Sequence, residues 1–104
     1  MKDPMKMLKQ VQQVQDRMSK VQTELETETV EGSAGGGAVR VVATGTQKVV
    51  SVTIDPAAAA EPEMLQDMIV AAVNEAMEKS KQLAASKMQA VASGLGLPPG
   101  TLGL

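Results

Sequence analysis

The chain has 104 residues, contains no Phe, Tyr, Trp, Cys or His, and carries a net charge of −2. These facts exclude a disulfide framework and the usual zinc and haem ligand sets, and they bound the chain to one modest domain. Its core must be built from Val, Leu, Ile, Ala and eight methionines, so an oligomer that borrows core from its partner is expected.

No N-terminal apolar leader and no run of membrane-spanning length is present, so a soluble, cytoplasmic protein without membrane contact is the default expectation. The charge is unevenly placed. Residues 1–20 hold five bases against two acids, residues 21–31 hold four glutamates and no base, residues 55–78 hold six acids and no base, and residues 79–104 hold three lysines and no acid. Both ends are basic and the middle is acidic.

Asp3-Pro4 is a helix start: a capping carboxylate, then proline in the first turn. The helix is expected to run to about residue 26. Met7, Val11, Val14, Met18, Val21 and Leu25 recur at spacings of 4, 3, 4, 3, 4, which makes a heptad seam. The seam spans under three heptads and lacks leucine at its d positions, so it is read as packing on the chain's own second helix rather than as a stand-alone zipper. On the helical wheel Lys2, Lys6, Lys9, Gln13, Arg17 and Lys20 fall in a separate arc of about 80°. They form a basic stripe beside the apolar seam.

Residues 27–31 alternate and read as a short strand, and the glycine-rich residues 32–37 as a flexible loop. Residues 38–44 and 49–54 are valine-rich strands joined by a short turn, a hairpin. Val39 and Val41, with Val50, Val52 and Ile54, are expected to build the sheet core and a dimer junction. Asp55-Pro56 closes the third strand, and residues 57–60 read as loop or helical turn. Pro62 opens a second long helix reaching about residue 93, with Ala72, Ala76 and Ser80 as a small-residue stripe. Glycine and proline then end it.

The expectation is an α+β fold: an α-β-β-β-α protomer whose long N- and C-terminal helices project from a small antiparallel sheet. It is one domain over residues 1–95 with a loose tail over 96–104. If the helices pack antiparallel, the start of one and the end of the other share the distal tip. That brings Lys79, Lys81 and Lys87 toward the same end as the first helix's bases, a shape suited to a polyanion.

Other chemistries lack their residues. The glycine loop is followed by a strand and has no Gly-Lys-Ser/Thr, so it is not a phosphate loop. Glu61, Glu63, Asp67, Glu75 and Glu78 read as a solvated face of the second helix rather than a magnesium site. Ser-Lys neighbours on a helix point apart and form no dyad. No enzyme activity, metal or cofactor is expected. Without aromatic rings, single strands cannot be read by base stacking. Contact between lysine or arginine and duplex phosphates remains.

The segments "LKQVQQVQDRM", "KVQTELE", "VEGSAGGGAVRVVATG", "VVSVTIDP", "EMLQDMIVAAVNEAMEKS" and "GLGLPPG", in this order and spacing, resemble the YbaB/EbfC family of bacterial nucleoid-associated proteins. The resemblance spans nearly the whole chain. It implies a homodimer whose sheets form the body and whose helices project like tweezers. It also implies binding to double-stranded DNA with little sequence preference, and a role in nucleoid organisation or gene regulation. Carried over by position, the DNA-facing candidates are Lys2, Lys6, Lys9, Arg17 and Lys20 on one helix and Lys79, Lys81 and Lys87 on the other. Two departures stand out: Ala57 to Ala60 replace bulkier aliphatics, and the second helix is acidic in its first half. A competing reading is a non-enzymatic adaptor that offers its heptad and its Met- and Gln-rich faces to a helical protein partner.

Overall fold

A computed structural model describes residues 3–96. The order is α1 (Pro4–Thr27), β1 (Thr29–Ala34), β2 (Val39–Thr44), β3 (Val49–Ile54), α2 (Pro56–Ala59) and α3 (Pro62–Gly94). The three strands form one antiparallel sheet in the order β1-β2-β3. The expected α+β arrangement is present, in a molecule measuring 70 × 21 × 15 Å. The expected tail lies, beyond Gly96, outside the described residues.

α1 starts as its sequence dictates. Asp3 Oδ1 accepts from the Met5 amide at 3.0 Å, satisfying one of the free donors of the first turn. Asp55 repeats the device at α2, accepting from the Ala57 amide at 3.1 Å. That cap resolves the ambiguous alanine run into a single helical turn.

The first strand differs from expectation. α1 continues through Thr27, and β1 extends to Ala34, so Gly32, Ser33 and Ala34 are strand rather than loop. They pair with Val41, Arg40 and Val39. The reason for a glycine there is the helix above it. A Cβ on Gly32 would overlap the Ala72 carbonyl oxygen and the Ala76 amide nitrogen. The small-residue stripe of α3 therefore seats on the sheet, and not on α1. The tight turn to β2 falls on Gly35, Gly36 and Gly37, all at positive φ.

Val39, Val41 and Ala43 are fully buried against Ala72 and Ala76. Opposite partners on neighbouring strands share a face, and Val52 and Ile54 pair with Val41 and Val39. Yet α3 lies over β1 and β2. It leaves Val50 61% and Val52 44% exposed, with Ile54 half-buried. The expectation that Val50 and Val52 belong to the core is corrected for the protomer: they line an open edge. A bulge at Val42/Ala43 brings Val49 opposite Ala43, and Val49 is exposed as well.

α1 and α3 run antiparallel. Val21 and Leu25 are buried with Val91, flanked by Leu83, Ala84, Met88 and Leu95. Among the described residues the seam is buried only at Val21 and Leu25. Beyond them α3 ends: Gly94 lies beside the Arg17 guanidinium. Residues 4–16 of α1, about 20 Å of helix, project past that end. Met7 and Val11 are 53% and 51% exposed, and Val14 is half-buried.

Candidate nucleic-acid interface

The candidate cations fall into three groups. Lys6 and Lys9 sit on the projecting part of α1, exposed to solvent. Arg17 and Lys20 sit where the projection begins. They line a shallow groove between the long helices with Val21, Glu24, Lys87, Ala90 and Val91. Among the described residues none of these four α1 cations forms an ion pair. Lys2 lies outside the described residues.

The α3 lysines are placed differently. Lys79 bridges to Glu75 at 3.2 Å and donates to the Glu31 carbonyl at 2.9 Å, at the free edge of β1. Lys87 reaches across to α1 and pairs with Glu24 at 3.0 Å and with Glu28. Lys81 is exposed beside the turn between β2 and β3, near Gln22, Thr46 and Gln47. The structure thus brings Lys87 to the same groove as Arg17 and Lys20, and holds Lys79 and Lys81 nearer the sheet.

The electrostatics of the groove follow from Lys87. Its hydrogen bond, and then its charge, hold the Glu24 carboxyl below the usual carboxylate range, with Lys20 adding a smaller pull. In return the hydrogen bonds with Glu28 and then Glu24 push the Lys87 ammonium above the usual lysine range. Glu24 and Glu28 therefore occupy a cation that the groove otherwise offers to an anion. Wheel arithmetic on one helix does not find this cross-helix triad, because Lys87 is 63 residues from Glu24.

Sequence reasoning also passed over Arg40. It is exposed on the sheet face turned away from α3, in a row with Ser33 and Thr53. The period-2 alternation of β2 was the available signal.

A second surface is apolar. Glu75 and Lys79 reach the β1 edge, with Glu75 Oε1 accepting from the Ser33 amide at 3.4 Å. The opposite flank of α3, bearing Ile69, Val73 and Met77, therefore turns toward β3. These residues are half-buried and pack against the core formed by Val39, Val41 and Ala43 with Ala72 and Ala76.

The protein is a small sheet that carries two long antiparallel helices, one of them projecting with a row of cations that form no ion pair among the described residues. The chain belongs to the YbaB/EbfC DNA-binding family, whose model matches residues 1–95. It is 43% identical over 102 residues to a nucleoid-associated protein of Dictyoglomus turgidum, covering 96% of this chain and 98% of that one. It is 48% identical over 93 residues to a nucleoid-associated protein of Syntrophobacter fumaroxidans, covering 88% and 84%. The fold matches the crystal structure of the uncharacterized protein HP0035 from Helicobacter pylori, with a TM-score of 0.74 at 18% identity, over 92% of this chain and 100% of that one. Among the described residues, no helix is long and apolar enough to cross a membrane.

Proposed function

We propose that this protein is a non-enzymatic homodimer of the nucleoid. It binds double-stranded DNA through the basic stripe of α1, with little sequence preference, and so organises the nucleoid or modulates transcription. The observation that carries this reading is the row Lys6, Lys9, Arg17 and Lys20, which has no ion-pair partner among the described residues on the part of α1 that clears or meets the end of α3. Successive members lie three to eight residues apart, about 5–12 Å along the helix axis, a spacing able to follow phosphates. Lys2, outside the described residues, remains a candidate from the sequence alone, and Lys81 and Lys87 add charge from α3, Lys87 once its glutamates are displaced. Lys79 contributes little because Glu75 and the Glu31 carbonyl already hold it beside the sheet, away from the groove.

The pairing of two copies is supported by the open flank of the protomer. Among the described residues β3 has one unpaired backbone edge, and its Val49, Val50 and Val52 are exposed. An exposed apolar edge strand is a template for association. A two-fold pairing there would place two α1 helices on one assembly.

The test is titration of a short duplex at low and moderate salt with the natural protein and with a Lys6→Gln, Lys9→Gln, Arg17→Gln variant. Neutralised phosphates release counterions, so the natural protein's affinity falls steeply with salt. The variant binds far more weakly, and its salt slope shrinks by about one unit for each phosphate that no longer meets a cation. Equal binding by the two proteins sinks the assignment of the stripe.

A further inference from the structure

The heptad seam of α1 outlasts the helix that covers it. Val21 and Leu25 are buried on α3, but Met7, Leu8 and Val11 are about half exposed and Met18 is 37% exposed. Met7, Gln10, Val11 and Val14 stand at i, i+3, i+4 and i+7 and with Gln15 enclose a shallow apolar depression. Four residues at that spacing form the hole that accepts a knob from a facing helix.

The same face supplies the knob. When a copy of α1 is laid antiparallel, Val11 meets the second copy's Val14 and Met7 meets the second copy's Met18. All four residues are then used twice about one two-fold axis. The positions that flank the contact are Leu8, Gln10, Gln15 and Arg17, and the antiparallel register sets Arg17 against the second copy's Gln10, so no like charges meet across it. Lys6, Lys9 and Lys20 lie on another side of the helix and stay free, while Arg17 borders the contact.

We propose that the outer part of α1, from Met7 on the projection to Met18 just inside its base, pairs antiparallel through Met7, Val11, Val14 and Met18 with the same face of a second copy. Four partly exposed side chains per helix bury well under the ~1,200 Å² of a stable interface. The contact is therefore weak between free molecules and forms when a shared scaffold concentrates them. Given the DNA-binding reading above, it ties together molecules bound to separate duplex segments. The pairing itself does not depend on that reading.

The chain has no cysteine, so single introduced thiols report the contact. Val11→Cys and Val14→Cys proteins are mixed and treated with a short bismaleimide, at high protein concentration without DNA and at about 100-fold lower concentration with a long duplex. A Gln13→Cys protein, labelled on the basic side, is the control. The expected result is crosslinking of Val11→Cys with Val14→Cys in both arms, at least about ten-fold above the control, and insensitive to salt in the arm without DNA. Crosslinking in that arm alone leaves the pairing standing and removes the DNA reading. Equal yield from the control, or no product in either arm, overturns the pairing. Product that forms only after residues 97–104 are deleted also overturns it, and assigns the face to that segment.

Discussion

Ser80 donates a 2.7 Å hydrogen bond to the Thr44 carbonyl and accepts one of 3.1 Å from the Gln47 amide. One fully buried hydroxyl of α3 thus ties down the turn between β2 and β3. Gln47 holds φ = 63° there, a conformation that most residues avoid. Ser80→Ala leaves the Thr44 carbonyl without its side-chain partner beneath the helix and loosens the turn. The expected cost is about 1–3 kcal/mol, read as a lower urea midpoint with unchanged DNA affinity.

Gly32→Ala tests the seating of α3. The added methyl runs into helix backbone at Ala72 and Ala76, which cannot rotate away. The expected destabilisation is at the upper end of the roughly 1–3 kcal/mol typical of overpacking. Gly36→Ala is the comparison: nothing lies near its Cβ, and only its positive φ of 66° is strained. Its cost should be about 1 kcal/mol. Thermal melts of the two variants separate crowding from backbone strain.

Glu24→Gln with Glu28→Gln releases Lys87 into the groove beside Arg17 and Lys20 and removes two negative charges. Duplex affinity at low salt should rise several-fold, with a steeper salt slope. Looser binding by this variant would remove the groove from the interface.

The same triad gives a pH signature in the natural protein. Glu24 has a lowered pKa in the fold, so its stabilisation is present above the ordinary carboxylate pKa of about 4.3 and is lost as pH falls through the lowered value. Lys87 has a raised pKa, so its stabilisation is complete below the ordinary lysine value of about 10.4 and is lost as pH rises through the raised one. Between those limits this pair contributes no pH dependence. Chemical denaturation of the natural protein and of Lys87→Met as a function of pH should show the largest difference in the middle range, shrinking as pH falls through the lowered Glu24 value or rises through the raised Lys87 value.

Val52→Lys tests the open flank. Val52 is exposed in the protomer, so the change should leave its fold intact by circular dichroism. It should convert a light-scattering dimer to a monomer, because it puts two lysines into one apolar contact. A variant that remains dimeric would move the contact elsewhere.

Much of the fold was legible because local chemistry and tertiary need agree. Asp3-Pro4 and Asp55-Pro56 cap helices where they stand, and the valine alternation of β2 and β3 sets their register. β1 was misread at Gly32 because strand propensity penalises a residue that the helix above requires. The valines of β2 and β3 look equivalent in sequence. Only the position of α3 over β1 and β2 makes Val41 core and Val52 edge. The seam was visible in its periodicity, but its change of role at Arg17 depends on where a different helix stops. The stripe of cations could be placed from one helix alone. The capture of Lys87 by Glu24 and Glu28 could not, since it joins helices from opposite ends of the chain.

The end of α3 beside Arg17 divides α1 into a braced half and a cantilever. Among the described residues the outer half has only hydrogen bonds within α1 and its cap, on a length that is marginal as a helix in isolation. Amide exchange should therefore quicken steadily from Val21 toward Met5, as fraying from a free end does. A polyanion laid along Lys6 and Lys9 would slow that gradient, so gripping and helix order become a single equilibrium. Warming would then weaken the grip by melting the hand before it disturbs the body.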